Sequence, residues 1–256
     1  MRIISLSSGS KGNAYLVEQD GAALLVDCGL SCRELRKRMS TVGLEPDAVS
    51  AVVFTHSHDD HIKGLPLFHR NFPAAELFAN LMTAESIAAV VGVDEGDFCC
   101  FENGQAFPVG PFEVQPFSIP HDTSDPVGYL VRAGGQAYFH GTDIGTPLDS
   151  IGLKLAEADV ATLESNHDLM MLRTSGRPPS LIQRIAGPRG HLSNDQACDL
   201  VRRFASPRLK RLALAHLSQD CNVPHLAEGQ MRTTLLELHR TDVELKILSQ
   251  DEVVEL

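Results

Sequence analysis

Three histidines and two aspartates lie within six consecutive positions of the sequence, from His56 to His61, directly after the apolar residues 51–54. Imidazole and carboxylate groups at this spacing are typical of a metal site. In an extended backbone, side chains two positions apart share a face, so His56 and His58 point the same way, and a tight turn then directs Asp60 and His61 toward a second position. A solvated histidine-rich turn is the alternative, but it has no reason to follow a buried strand. The loop therefore predicts ligands for two metal ions.

Three residues further along the chain, His121, Asp143 and His216, each follow a predicted strand. Loops at strand ends are commonly held by a rigid sheet and carry functional groups. Each of these residues taken alone is better explained as a structural histidine or a turn aspartate. Together with the first loop they become candidate ligands, because one loop provides too few groups for two ions.

The pattern His-x-His-x-Asp-His, filled by His56, His58, Asp60 and His61, resembles the signature of the metallo-β-lactamase superfamily. The periodicity of the chain alone supports mixed α/β structure. The resemblance implies more, namely a four-layer αββα sandwich with the metal site at one edge between the two sheets.

The resemblance also implies a ligand set and a cofactor. It assigns His56, His58 and His121 to one divalent metal ion, Asp60, His61 and His216 to the other, and Asp143 to a bridge between them. Zinc and manganese both suit such a mixture of imidazole and carboxylate ligands. A hydroxide shared by the two ions is then the expected nucleophile of a hydrolase.

Length and composition limit the remaining possibilities. At 256 residues and 43% hydrophobic content, the chain can bury one sizeable core, which predicts one domain over residues 1–256. No signal-like or membrane-spanning apolar stretch is visible, so we expect a cytoplasmic protein without a membrane partner. The net charge of −11 argues against non-specific adhesion to nucleic acid, although it does not exclude an enzyme that acts on nucleic acid.

Strand and helix patterns alternate along the chain. The opening is predicted to be a β-meander at residues 3–7, 14–18 and 22–27, followed by a helix at residues 31–42 that Ser31 caps. Further strands are predicted at residues 49–55, 112–119, 128–132, 136–140, 160–164, 211–215 and 243–248, and further helices at residues 83–91, 147–156, 194–204 and 226–238.

Residues 189–194, which include His191, resemble the Gly-His-Ser/Thr segment of phosphodiesterase branches of the superfamily. Cleavage of a P–O bond creates an alkoxide, and an imidazolium beside it can donate a proton. His191 is therefore a candidate catalytic residue together with Asp60 and Asp143, and a mere neighbour of a helix cap is the alternative. Amides near the helix start at Ser193 are expected to meet phosphate oxygens.

Two residues of the segment 163–168 have candidate roles in the same site. Glu164 is expected to orient a histidine ligand without itself binding a metal ion. For His167, both a substrate-facing position and simple exposure remain open.

Residues 5–14, 190–194 and 215–222 resemble the YycJ/WalJ-like branch of the superfamily. That branch implies nuclease activity, including 5′-exonuclease action on DNA, and so DNA as the substrate. The glycine- and serine-rich opening either presents backbone N–H groups to phosphate or is an ordinary turn.

Three other functions remain open from the sequence. One is a small-molecule hydrolase that acts on a thioester or a cyclic phosphodiester, which the acidic surface favours. Another is a tRNA-processing-like endonuclease, although the sequence shows no obvious arm for gripping tRNA. The third is a metal-binding regulatory protein without catalysis, which the full ligand set disfavours.

Overall fold

The computed structural model describes residues 1–256, and two seven-stranded sheets dominate it. The first sheet contains β1 (Arg2–Ser7), β2 (Ala14–Gln19), β3 (Ala22–Val26), β4 (Val49–Val53), β5 (Glu76–Asn80), β6 (Phe98–Phe101) and β14 (Val254–Glu255). The second sheet contains β7 (Phe107–Val109), β8 (Phe112–Ser118), β9 (Val127–Ala133), β10 (Gln136–Gly141), β11 (Val160–Glu164), β12 (Arg211–Ala215) and β13 (Glu244–Ile247).

Nine α-helices connect or flank these strands. They are α1 (Cys32–Thr41), α2 (Asp59–Ile62), α3 (Leu65–Asn71), α4 (Leu81–Val91), α5 (Asp149–Leu155), α6 (Leu169–Arg173), α7 (Pro179–Ile185), α8 (Asn194–Phe204) and α9 (Pro224–Glu237). Short 3₁₀ turns occur at Pro46–Ala48 and Glu95–Asp97. None of these helices has the length and apolar character needed to cross a membrane.

Both sheets combine an antiparallel part with a parallel part. The strand order is β14-β1-β2-β3-β4-β5-β6 in the first sheet and β13-β12-β11-β10-β9-β8-β7 in the second. Strands β3 to β6 run parallel to one another, and so do β10 to β13. Parallel strands present their carboxyl ends at one edge of a sheet, which is where ligand sites of α/β folds are usually built.

Three apolar cores hold the layers together. One lies between the sheets and combines Ile3 and Val17 of the first sheet with Val131 and Tyr138 of the second. The other two lie between each sheet and its own helices. The order of layers is therefore helices, sheet, sheet, helices, which confirms the αββα sandwich predicted from the sequence.

Candidate metal centre

The loop after β4 brings its first two histidines together. His56 is fully buried at the strand end, and its Nε2 lies 3.1 Å from Nδ1 of His58. His121, which follows β8, places its own Nε2 3.3 Å from the same His58 nitrogen. Two ligands of a tetrahedral ion at Zn–N distances of about 2.0–2.1 Å lie about 3.3 Å apart. The three nitrogens therefore have the spacing of a metal-binding set, here called the first donor group.

A second set forms where the short helix α2 faces the end of β12. Nε2 of His61 lies 3.5 Å from Oδ2 of Asp60. Nε2 of His216 lies 3.6 Å from that same oxygen. These three side chains are here called the second donor group, and their ligand atoms all lie within 4.8 Å of one another.

Asp143 lies between the two donor groups. Its Oδ1 is 3.7 Å from Nε2 of His121, and its Oδ2 is 3.3 Å from Nε2 of His61. The residue follows β10 and has a φ of 58°, in the left-handed region that aspartate tolerates better than most residues. Oδ1 also lies 3.5 Å from Nδ1 of His216, so the Asp143 carboxylate is close to histidines of both groups, as a bridging ligand requires.

Unpartnered polar atoms in the site fit a bound cation. Asp143 Oδ2 and His216 Nε2 are buried and have no hydrogen-bond partner within the protein. Buried polar groups are nearly always satisfied, because an unpaired one destabilises the fold. A divalent ion between these atoms would satisfy both, so the residues present fit a metal centre.

On the first-sheet side, side chains beneath the site fix the orientation of two histidines. His61 Nδ1 donates to Asp27 Oδ2 at 2.7 Å, which directs Nε2 toward the site, where Nδ2 of Asn13 lies 3.0 Å from it. Asp27 accepts further hydrogen bonds from the backbone amide and the hydroxyl of Thr55, each at 2.9 Å. Thr55 Oγ1 also lies 2.9 Å from Nδ1 of His56. Asp27 and Thr55 thus hold one ligand candidate from each donor group.

Glu164, the last residue of β11, does the same on the second-sheet side. Its Oε1 accepts from Nδ1 of His191 at 2.9 Å and from Nδ1 of His216 at 3.1 Å. Its Oε2 accepts from the backbone amides of Ile144 and Leu192. The predicted orienting role of Glu164 agrees with this geometry.

Glu164, His191, His216 and Asp143 also bring four potential ligand atoms close together. The hydrogen bonds already occupy both oxygens of Glu164 and the Nδ1 atoms of the two histidines. We therefore interpret Glu164 as a positioning residue and not as part of a third metal site.

The electrostatics of the site follow from burial and from its carboxylates. Burial on its own lowers the pKa of His216, but the neighbouring carboxylates, led by Asp143, raise that pKa to about 10. The pKa of His61 is likewise raised well above its ordinary value against the effect of burial, chiefly by Asp27. In contrast, burial and the nearby His61 hold the pKa of His56 well below its usual range. Without a bound ion, His61 and His216 of the second donor group are therefore the histidines that favour the protonated form.

A cavity of about 490 Å³ opens above both donor groups. Its lining includes His191 and five candidate ligands, namely His58, Asp60, His121, Asp143 and His216, and also Arg177, Leu181, Arg184 and Ile185. His191 is 22% exposed at its side chain and stands between the others, with ring centroids 5.1 Å from His121 and 5.3 Å from His216. A substrate in this cavity would thus contact the donor groups and His191 together.

Comparison with known proteins identifies the family. A model described as a β-lactamase superfamily domain matches residues 23–216, which run from β3 to the last candidate ligand. The chain belongs to the metallo-β-lactamase superfamily. This match, together with the relatives described next, makes it a metal-dependent hydrolase.

Two relatives place the chain in one branch of the metallo-β-lactamase superfamily. The protein named exodeoxyribonuclease WalJ from Streptococcus pneumoniae is 31% identical over 235 residues, which cover 91% of this chain and 87% of that protein. The protein named exodeoxyribonuclease YycJ from Bacillus anthracis is 32% identical over 248 residues, which cover 93% and 94%. The predicted resemblance to the YycJ/WalJ-like branch is therefore confirmed.

Solved structures of the superfamily share the fold. The metallo-β-lactamase fold protein YhfI from Bacillus subtilis superposes with a TM-score of 0.72 and covers 100% of both chains. At 18% identity this likeness concerns the fold alone.

Two residues of this metallo-β-lactamase site were not predicted from the sequence. Asp27 orients His61, and Asn13 donates from Nδ2 to Asp60 Oδ2 at 3.0 Å. The sequence feature that could have indicated Asp27 is the position of an acidic residue at the end of an apolar strand, close to Gly29. Asn13 gives no such signal, because only the fold brings it to Asp60.

Phosphate contacts were expected from amides at the helix start near Ser193, and in the opening segment they were one of two alternatives. The amide of Ser193 donates to Gln196 Oε1 and the amide of Asn194 donates to the carbonyl of His167, both at 2.9 Å. Both residues are buried, so the prediction that amides here meet phosphate is wrong. In the glycine- and serine-rich opening, amides donate within the protein at Ser8, Gly9, Lys11, Gly12 and Asn13. That pattern favours the turn interpretation.

His167 is neither exposed nor part of the cavity wall. Its side chain is 1% exposed, and neither ring nitrogen has a hydrogen-bond partner within the protein. Burial lowers its pKa to about 4. The structure therefore rules out simple exposure and gives no sign of contact with a substrate in the cavity.

Proposed function

We propose that the chain is a dinuclear phosphodiesterase that removes nucleotides from the 5′ end of DNA. The observation that carries the proposal is the position of Asp143, whose carboxylate lies within 3.7 Å of histidine nitrogens from both donor groups. His191 stands beside it, with Nδ1 3.5 Å from Asp143 Oδ1. The names of the WalJ and YycJ relatives, which align over most of this chain, support DNA as the substrate. DNA would be met in the cytoplasm, the location predicted from the sequence.

In this proposal the first donor group would hold one divalent ion and the second donor group another, and Asp143 would serve as a ligand to both. Zinc and manganese are both suitable, because imidazole and carboxylate ligands serve either ion. Two such ions, when bound, supply a nucleophilic water at neutral pH and neutralise charge on the phosphate oxygens. Asp60 and Asp143 are the carboxylate ligands that would hold the positive ions next to the scissile phosphate.

His191 is the proposed general acid. Nδ1 is occupied by Glu164, so Nε2 is the atom available to the cavity. Burial opposes protonation of His191, but the carboxylates of Glu164 and Asp143 raise its pKa above the ordinary value. The raised pKa favours the protonated ring, which can donate to the departing oxygen. Glu164 keeps the ring oriented and stabilises its positive charge.

The test is cleavage of 5′-phosphorylated, end-labelled single-stranded and duplex DNA with added Mn²⁺. We expect stepwise loss of nucleotides from the 5′ end by the wild type and none by Asp143→Ala. Metal content is measured on both proteins. An Asp143→Ala protein that turns over at the wild-type rate would refute the bridging role.

A small-molecule hydrolase is the second candidate. Its support is the charge of the cavity, which is lined by four carboxylates, Asp59, Asp60, Asp122 and Asp143, in a chain of net charge −11. A volume of about 490 Å³ is also within the range of small-ligand pockets. Strong turnover of a thioester or a cyclic phosphodiester, with DNA left intact by the metal-loaded protein, would favour this candidate.

A further inference from the structure

One surface of the protein is basic although the chain as a whole is acidic. It is formed by residues 8–13, 28–44 and 61–75, here called the basic face, and it includes α1 and α3. These segments contain seven lysines and arginines but one acidic residue, Glu34, in a chain whose net charge is −11. Charge of one sign that is concentrated against the balance of the whole chain indicates a surface for a partner of the opposite charge.

Hydrogen bonds and helix packing join the three segments of the basic face into one surface. The amide of Gly29 donates to the carbonyl of Asn13, and the amide of Gly64 donates to the carbonyl of Cys28, both at 2.9 Å. Beyond these loops, α1 and α3 pack against each other. The cations of the three segments therefore act on the same partner.

Most cations of the basic face have no carboxylate to neutralise them. Five exposed side chains take part in no ion pair, namely Lys11, Arg33, Arg36, Lys63 and Arg70. The single acid of the face, Glu34, pairs with the other two cations, Lys37 and Arg38. The five side chains are thus hydrated and available to an anion from outside the protein.

Elsewhere in the protein the cations are used internally. Outside the basic face, every lysine and arginine except three forms an ion pair. Of those three, Arg189 and Arg211 donate to main-chain oxygens, which leaves Arg173. The unpaired positive charge is therefore gathered on one surface, which ordinary surface solvation does not require.

The basic face begins at the rim of the cavity. Ser10 and Asp60 belong to the cavity lining. Lys11 follows Ser10 directly, and the ammonium group of Lys63 donates to the backbone carbonyl of Lys11. A strand that leaves the cavity over this rim would meet both lysines first.

Beyond the rim, the cations continue along the outer helices. Arg33, Arg36 and Lys37 occupy positions i, i+3 and i+4 of α1, so they project from one exposed side of that helix. The guanidinium of Arg36 lies 5.7 Å from the ring centre of Phe72, directly after α3, and Arg70 is exposed in the last turn of α3. The charges therefore form a row across two helices.

We propose that the basic face binds the phosphate backbone of the DNA strand beyond the nucleotides held in the cavity. This inference rests on the proposed function. The five unpaired cations line none of the four larger cavities, so they suit an extended polyanion better than a single small anion. Phosphodiesters present one negative charge per nucleotide, and contacts to them position a strand without reading its sequence.

The experiment measures kcat and KM of the metal-loaded protein on a 5′-phosphorylated dinucleotide and on a long single strand, each at several salt concentrations. In the triple variant Arg33→Gln, Arg36→Gln, Arg70→Gln, KM for the long strand should rise about tenfold or more at low salt, because three phosphate contacts are lost. The slope of log KM against log salt should fall by about 2. We expect kcat on the long strand and both constants on the dinucleotide to stay unchanged.

Two further triple variants make the comparison specific. Lysine at positions 33, 36 and 70 should preserve most of the affinity, since phosphate contacts of this kind need charge and not the planar arginine group. The matched control replaces Arg203, Arg208 and Arg232 by glutamine. It removes the same charge from exposed arginines that pair with carboxylates on the other side of the molecule.

Three results would overturn the inference: an unchanged salt slope in the variant of the basic face, an equal rise of KM on both substrates, or the same rise in the control. If the metal-loaded protein cleaves no DNA, the proposed function fails, and the basic face is judged by binding of a fluorescent single strand. Salt-dependent binding that the Arg33, Arg36 and Arg70 substitutions weaken would retain the inference. Absence of such binding, including the case in which the same arginines bind phosphatidylserine vesicles instead, would reject it.

Discussion

The carboxylate of Glu164 accepts four hydrogen bonds, two at each oxygen, and two of them come from His191 and His216. Only an ionised carboxylate can accept at both oxygens in this way. Consistent with this, the positive charge of the two histidines outweighs burial and lowers the pKa of Glu164 to about 2. A neutral amide at this position would put an NH₂ group where one oxygen now accepts two hydrogen bonds, so two of the four donors would lose their acceptor.

We expect Glu164→Gln to lower kcat and metal affinity by about 10–100-fold, the range found when groups that orient metal ligands are lost. Metal content after dialysis and steady-state rates measure the two effects. Glu157→Gln is the control, because Glu157 pairs with Lys154 and Arg132 far from any ligand candidate at the protein surface. Full metal retention and activity in Glu164→Gln would show that the hydrogen bonds are incidental.

His140 gives a pH-dependent contribution to stability. Its ring is fully buried between the sheets, and burial, assisted by the positive charge of His61, lowers its pKa to about 3. Between pH 6.5 and 3 the unfolded chain binds a proton at His140 that the folded chain excludes. The contribution is therefore complete above pH 6.5 and is lost as the pH falls below that value.

On these grounds, metal-free wild type should lose on the order of 1 kcal/mol more stability than His140→Phe when the pH falls from 7.0 to 5.5. Urea unfolding at the two pH values measures the difference. The comparison concerns the change with pH, so any destabilisation by the phenylalanine itself cancels. Equal pH dependence of the two proteins would mean that His140 can be protonated in the folded state.

At the scale of elements, three loops meet where Gly29 touches α2. A Cβ added at Gly29 would lie 1.7 Å from the carbonyl oxygen of Asp60 and 2.6 Å from the amide nitrogen of Asn13. Asn13 itself donates from its amide to that carbonyl at 2.7 Å. The absence of a side chain at Gly29 therefore allows the backbone of Asp60 to approach the sheet.

Gly29→Ala should displace α2 and lower occupancy of the second metal position more than the first, with at least a tenfold loss of activity if the displacement is about 1 Å. Metal titration and kinetics test this. Gly229→Ala is the control, because a Cβ on that glycine of α9 meets no atom within 4 Å and should stabilise the helix slightly. Normal metal stoichiometry in Gly29→Ala would contradict the expectation.

Strongly patterned elements were predictable from the sequence. Strands β11 and β12 and helix α8 begin and end at the predicted residues. Ser31 caps α1 as expected, by accepting from the amide of Glu34. Strands β5 and β6, in contrast, were missed between helices, because their residues show little alternation and their pairing is long-range.

The candidate ligands were predictable for a different reason. Their residue types and the loop spacing indicate coordination chemistry directly, and the structure brings all seven together, although their ligand roles stay predictions. The supporting side chains could not be predicted in the same way. Asn13 and Asp27 act through contacts with residues 47 and 34 positions away, which only the folded chain defines.

At the scale of the whole molecule, the candidate ligands come from both sheets. The first sheet supplies the residues from His56 to His61, and the second supplies His121, Asp143 and His216. Bound ions would therefore connect the two sheets. Because binding favours the folded state, ions at 100 times their dissociation constant should add about 2.7 kcal/mol of stability per site.

Chelation should accordingly lower the thermal midpoint of the wild type by several degrees and change that of Asp143→Ala much less. Calorimetry with and without a chelator measures both. The prediction of one domain over residues 1–256 is tested in the same experiment, since it requires a single cooperative transition. Two separate transitions would contradict the single domain, and a midpoint that the chelator leaves unchanged would contradict the stabilising ions.

The separation of the candidate ligands along the chain has a consequence for biosynthesis. His56 to His61 leave the ribosome before His121 and well before His216, so a nascent chain at first exposes ligands without the residues that complete either donor group. An ion captured at that stage would be held weakly and exchanged easily. The finished enzyme would therefore take its metals from the cellular pool present after synthesis, and its metal content would report the ions available at that moment.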